Sequence, residues 1–217
     1  LENLFGLGIH SAERIVPEWQ HREVGDLVAA ISTGSGGWYV SPVTLTIIGS
    51  DATSGVRTIY YRLGAGDWMT YTAPVQITAQ GSHEVSYYAV DNGGSGEAPH
   101  TLTLRIDAVA PEVTPGLSGT VGAGDWYRSA VAFTLQVTDA TSGAGTARFS
   151  LDGGPWLTYS GPVQVTAQGA HTINFYAADV AGNNSAVDVV AFKIDSLAPV
   201  STITYPTAGQ ALSGGSI

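Results

Sequence analysis

Two stretches of this chain repeat one another at a constant offset. Trp38-Tyr39 returns as Trp126-Tyr127, Asp51-Ala52-Thr53-Ser54-Gly55 as Asp139-Ala140-Thr141-Ser142-Gly143, and Pro74-Val75-Gln76 as Pro162-Val163-Gln164. Ala110-Pro111 likewise returns as Ala198-Pro199, and every pair is 88 positions apart (126 − 38, 139 − 51, 162 − 74, 198 − 110). Between 38–111 and 126–199, 33 of 74 aligned residues are identical with no gap. One structural unit has therefore been duplicated in tandem. A unit of this size can bury a core of its own, unlike the rung of a solenoid. The expected organisation is an extension over 1–22, one unit over 23–110 and a second over 111–198. Residues 199–217 then supply either the first strand of a third unit or an assembly tail.

Within each copy the pattern is short β-runs cut by Gly, Pro and Asx turns. Val43–Ile48 alternates apolar residues with Thr, Val56–Leu63 is β-branched and tyrosine-rich, and Thr101–Ile106 sends Leu102, Leu104 and Ile106 to one face. Further strands are expected at 67–71, 75–79 and 82–90. The second copy follows at 131–137, 146–151, 156–159, 163–167, 171–178 and 189–194, with lead-in strands at 23–33 and 111–121. No segment inside either copy holds a helical period. Six or seven short strands at this spacing predict an all-β chain of two tandem Ig-like antiparallel β-sandwiches with apolar terminal extensions. In the first extension Leu1, Leu4, Phe5 and Ile9 suit a short amphipathic helix ending before Pro17.

The chain carries eight basic and 18 acidic residues, a net charge of −10. No Lys/Arg cluster exists to release counterions from a nucleic acid or to dock on an anionic membrane. Divalent cations are the partner class that this charge favours. There is no cysteine, which excludes disulfides, thiolate metal sites and cysteine nucleophiles. No apolar run approaches the ~20 residues of a membrane span.

The motif Gly66-x-Trp68-x-x-Tyr71-x-x-Pro74, with Gly81-x-His83 and Tyr88-Ala89-x-Asp91, stands again as Gly154-Pro155-Trp156-x-x-Tyr159-x-x-Pro162, Gly169-x-His171 and Tyr176-Ala177-x-Asp179. It resembles the Ig-like repeats of bacterial secreted and cell-surface proteins, in particular the outer-membrane-protein-type β-barrel repeat family. The resemblance covers about two thirds of the chain and implies non-catalytic extracellular modules that occur in strings. Copy one departs from it after Asp91, where Asn92-Gly93-Gly94-Ser95 stands in place of Val180-Ala181-Gly182-Asn183. Residues 1–30 resemble a fragment of a polyketide-cyclase-like lipid-binding protein, a stretch too short to form that fold, and no function is carried over.

No motif for catalysis is present: there is no Gly-x-Ser-x-Gly elbow, no His-Glu-x-x-His helix and no phosphate-cradling Gly-Lys-Thr. His83 and His171 are a repeat pair at a strand start and read as structural. Asp152-Gly153-Gly154 reads as a hairpin turn. Calcium is the best chemical hypothesis. In an Ig-type sandwich the second–third and sixth–seventh strand loops share the end at which the chain enters. Asp51, Ser54, Asp91 and Asn92 should cluster there in copy one, and Asp139, Ser142, Asp179, Asn183 and Asn184 in copy two. Asp107 ends copy one and should approach the second cluster, so Asp107, Asp139, Asp179 and Asn183 are the candidate metal ligands, all hard oxygen donors. The alternative is that these Asp residues close Asx turns on their own backbone.

Trp38, Trp68, Trp126 and Trp156, with Tyr39, Tyr71, Tyr127 and Tyr159, could stack on sugar rings or cover the sandwich edges. A Lys–Asn isopeptide link is disfavoured for the array, since Lys193 is the only lysine and copy one has Arg105 in its place. The composite expectation is a non-catalytic extracellular or cell-surface structural protein. It would be a subunit of a bacterial filament, sheath or S-layer-like assembly, joined to copies of itself through residues 1–22 and 200–217. The alternatives are accessory carbohydrate-binding or spacer modules of a secreted polysaccharide-degrading enzyme, with extracellular polysaccharide as partner, and an adhesin.

Overall fold

A computed structural model of the chain describes residues 33–204 and, as backbone, 26–30. The 1–22 extension, with its expected helix, and the end of the chain from Tyr205 lie outside the described residues.

The described residues contain no helix, and their strands form two sandwiches. In copy one, β1 (Asp26–Ala30), β2 (Val43–Ile48) and β5 (Val75–Ile77) make one sheet in the order β1-β2-β5. The facing sheet, in the order β4-β3-β6-β7, is built from β3 (Val56–Leu63), β4 (Met69–Thr70), β6 (Gly81–Asp91) and β7 (His100–Ile106). Copy two repeats the plan. Here β8 (Glu112–Ser118), β10 (Val131–Thr138) and β13 (Val163–Val165) lie in the order β13-β10-β8. Its larger sheet, β12-β11-β14-β15-β9, comprises β9 (Trp126–Tyr127), β11 (Ala144–Leu151), β12 (Leu157–Thr158), β14 (Gly169–Asp179) and β15 (Asp188–Ile194).

The all-β expectation holds, with one difference in detail. β9 pairs with β15 in parallel, Lys193 opposite Trp126 and Ile194 opposite Tyr127. Tyr39 makes the matching parallel bridge to Ile106 in copy one. The lead-in strand thus begins on the smaller sheet, and a short Trp-Tyr segment then crosses to the edge of the larger one. A two-residue strand carries no alternation from which to be read.

Side-chain alternation builds the cores. Val43, Leu45, Ile47 and Ile77 from the small sheet meet Tyr61, Val85, Leu104 and Ile106 from the large one. In copy two, Val131, Phe133 and Val165 meet Phe149, Ile173, Phe175, Phe192 and Ile194. These are two separate clusters, and no buried residue belongs to both. In each copy the chain enters at one end, here called upper, and leaves at the other. The upper end carries the loops after β2 and β6, or after β10 and β14.

Candidate functional site

Each upper end opens on an Asx turn written into the repeat. Asp139 Oδ1 accepts the amides of Thr141, Ser142 and Gly143 at 3.1, 2.9 and 2.7 Å. Asp51 Oδ1 does the same for Thr53, Ser54 and Gly55 at 3.1, 2.7 and 2.8 Å. A short carboxylate side chain accepting amides two to four residues on is the turn-forming role of Asp. The Ser54 and Gly55 amides hold the Asp51 carboxyl below the ordinary carboxylate range, since they bond its charged form. The second loop repeats the logic: Asp179 Oδ1 accepts Gly182 and Asn183 amides at 2.6 and 2.8 Å, and Asp91 Oδ1 accepts Ser95 N at 2.8 Å.

Where copy one meets copy two, the structure brings Asp107, Asp139 and Asp179 together: one carboxylate oxygen from each lies within 4.8 Å of the others. Asp107 is fully buried and Asp179 nearly so. Asp107 Oδ1 accepts Val109 N at 3.1 Å, and its Oδ2 accepts Ser142 N at 3.0 Å. That second bond crosses between the repeats, and the Ser142 amide is shared with Asp139. Asn183 presents its amide nitrogen rather than its oxygen, donating to Asp107 O and Asp179 Oδ2, each at 2.8 Å. In this arrangement Asn183 clamps the linker backbone and is not placed as an oxygen ligand. Asn184 makes a β-bridge to Ala178.

A second contact joins the two copies through the same copy-two loop. Ser35 N, on the lower end of copy one, donates to Ala181 O at 2.7 Å. Gly34 lies so close that a Cβ there would sit 2.3 Å from the same carbonyl. Nothing in the sequence pattern marked Gly34 or Ser35. The signal lay in reading both ends of the repeat together, since the 33–39 turn is at the lower end beside Asp107.

The aromatic candidates are turned on one another. On the outer face of the larger sheet of copy one, Tyr60 and Tyr88 stack at 5.1 Å, and Trp68 meets Tyr88 edge-on at 4.7 Å. The Arg62 guanidinium covers Trp68 at 4.7 Å. In copy two Trp156 meets Tyr176 edge-on at 5.0 Å, and Lys193 Nζ lies 5.7 Å from the Trp126 ring. Tyr71, Tyr127 and Tyr159 pack against the two cores, as does Tyr39. Trp126 and Trp156 remain 37% and 41% exposed.

One charged pair was not anticipated. His171 Nδ1 lies 2.8 Å from Asp152 Oδ2, and Nε2 lies 2.9 Å from Ala167 O. A carbonyl can only accept, so Nε2 carries a proton, and the carboxylate favours one on Nδ1 as well. The Asp152 hydrogen bond pushes the His171 pKa up, and the same bond pulls Asp152 down. His83 keeps the backbone contact, Nε2 to Ala79 O at 2.8 Å. The residue 88 positions before Asp152 is Gly64, so copy one has no carboxylate there.

No family model matches the chain, and no curated protein matches it. Among solved structures it is similar to the fibronectin(III)-like modules of Clostridium thermocellum CbhA (16% identity, 81% of this chain and 100% of that one, TM-score 0.36). It is also similar to a two-domain fibronectin type III segment of chicken tenascin (12% identity, 79% and 99% covered, TM-score 0.37). A third is the D00-D0 domain of intimin (15% identity, 76% and 98% covered, TM-score 0.35). The sandwich fold itself rests on the strand order and the two cores above.

Proposed function

We propose that this chain is a non-catalytic, extracellular spacer: two sandwiches locked end to end to set a distance and direction in a bacterial surface filament, sheath or S-layer-like assembly. The observation that carries this reading is the junction. Hydrogen bonds cross it in both directions, from Ser142 and Asn183 to Asp107 and from Ser35 to Ala181. Pro111 adds a fixed φ and restrains Ala110 before it. A jointed linker would need none of these. Assembly is assigned to residues 1–22 and 200–217, whose apolar residues could add as strands to an exposed sheet edge. Deleting either segment should leave soluble monomers where the full chain forms ordered fibres under the electron microscope. Polymers unchanged by both deletions would refute the assignment.

A second reading attaches to the same junction. Calcium holds its oxygen ligands at 2.3–2.6 Å, so any two lie within about 5 Å of one another. The carboxylates of Asp107, Asp139 and Asp179 meet that span. With hard oxygen donors and buried negative charge, these residues fit the ion, which would neutralise the cluster and stiffen the joint. Millimolar calcium should raise the melting temperature and a chelator should reverse it. An unchanged melting curve would dismiss the ion. The polysaccharide-binding alternative would fall to the partly exposed Trp156 and Trp126 rather than to Trp68, whose ring lies between Tyr88 and Arg62.

A further inference from the structure

The lower end of copy two is folded like the lower end of copy one, but among the described residues nothing is seated on it. Asp195 N donates to Tyr127 O at 2.9 Å, as Asp107 N does to Tyr39 O at 2.8 Å. Ser196 N donates to Gln168 Oε1 at 2.7 Å, as Ala108 N does to Gln80 Oε1 at 2.6 Å. Asp195 Oδ1 accepts Leu197 N at 3.1 Å, matching Asp107 Oδ1 and Val109 N at 3.1 Å. The neighbouring turn is copied too: Gly122 N to Trp126 O, and Trp126 N to Ala123 O, correspond to Gly34 N to Trp38 O and Trp38 N to Ser35 O.

The copy-two end adds the Asp152–His171 pair and a bond from Gln168 Nε2 to Ser196 Oγ, but the shared groups differ in what covers them. Asp107 is fully buried and its Oδ2 accepts Ser142 N. Asp195 is exposed, and its Oδ2 has no donor among the described residues. Ser35 N has Ala181 O as acceptor; the equivalent Ala123 N has none among the described residues. Both groups are already aimed as their counterparts are in the occupied junction, so little ordering remains to be done on docking.

We infer that this end is a socket for a third sandwich repeat in line, one whose upper loops carry copy-two-type turns, Asp-x-x-Ser-Gly and Asp-x-x-Gly-Asn. The Ser amide would bond the Asp195 carboxylate, and the Asn side chain would bond the carbonyls of Asp195 and Leu197. The carbonyl two residues before that Asn would accept Ala123 N. The Leu197-Ala198-Pro199 run repeats Val109-Ala110-Pro111, the connection that leads from Asp107 into copy two, so an in-line repeat arrives with the geometry already seen once. Copy one is a poorer occupant, because it carries Ser95 where copy two has Asn183. This deepens the spacer reading and rests on it, since a rigid line continues only if each end can grip the next unit.

The test is a three-repeat chain in which residues 111–198 are repeated after Ala198, compared with the present chain by amide hydrogen exchange. Ala123 N–H should exchange at least ~10-fold more slowly in the longer chain, and Asp195→Ala should restore the fast rate. Ala123 exchanging equally fast in both chains, or staying protected in Asp195→Ala, would overturn the socket. Ser35 N–H is the internal reference: slow exchange there with fast exchange at Ala123 sinks this inference alone. Fast exchange at both amides sinks the locked-spacer reading as well.

Discussion

Copy one and copy two share a frame and differ where they meet something. The residues that make turns and fill cores are either kept or exchanged in kind: Leu45 becomes Phe133, Tyr61 becomes Phe149, and Leu104 becomes Phe192. The residues at the ends change in chemistry. Ser95 becomes Asn183, which supplies the clamp across the junction; Gly64 becomes Asp152, which supplies a partner for a buried histidine. Duplication preserved the sandwich, and divergence at the loops gave the second copy contacts that the first lacks.

The largest expected effect tests whether the two cores are independent. Phe133 is fully buried between Phe149, Phe175 and Tyr159. Phe133→Ala should cost about 3–5 kcal/mol, and Leu45→Ala at the paired position about 2–5 kcal/mol. With separate cores, calorimetry should show each substitution lowering one transition and sparing the other. A single transition lowered by both would break the comparison at its root.

The junction comes next. Gly34 has no left-handed backbone to preserve, so it is the close approach of Ala181 O, the Val40 side chain and Trp38 O that resists a methyl group. Gly34→Ala should therefore part the two repeats, widening the spread of inter-repeat angles in small-angle scattering. Asn183→Ala removes the donor to Asp107 O and Asp179 Oδ2 and should cost about 1–3 kcal/mol, because two buried acceptors lose a partner. Ser95→Ala in copy one should have almost no such effect. Equal losses at 95 and 183 would show that the Asn acts only within its own loop.

How much of this was legible follows from what periodicity carries. The strands of six residues or more stood out through alternation, and the linker Asp could be placed beside the copy-two loops because sandwich connectivity puts them there. β9 is two residues long and parallel, so it left no periodic trace. Asp152 was legible as a turn residue and His171 as a strand-start residue, but 19 residues separate them. Only a reading of differences between copies, Asp for Gly at the one position and His kept at the other, would have joined them. The mutual packing of Trp68, Tyr88 and Tyr60 depends on neighbouring positions of β3, β6 and the loop before β4, which spacing along one strand does not encode.

The smallest effect concerns that pair and its pH dependence. Asp152 sits at a φ of 50° where copy one has Gly64 at 58°, so the carboxylate is held in a backbone conformation that costs a side chain something. His171 has its folded pKa raised above 6.5. Its contribution is full below the unfolded value and is lost as pH rises through the folded one. Asp152 has its folded pKa lowered below 3.8. Its contribution is present above that value and is lost as pH falls through the folded one. The pair therefore supports copy two most in the interval between, at about pH 5. Asp152 is 45% exposed, so solvent screening limits the gain to about 1 kcal/mol or less. Asp152→Gly should destabilise copy two most near pH 5 and less once the pH has passed the raised folded pKa of His171, where the histidine is neutral and the bond that Asp152 Oδ1 accepts from Thr172 N at 2.8 Å is set against the backbone cost. Gly64→Asp should install the same profile at His83 in copy one, since its Nε2 contact to Ala79 O is already in place. A loss on Asp152→Gly that does not vary with pH would mean that the Asp152 side chain acts as a turn residue and not as the histidine's counter-ion.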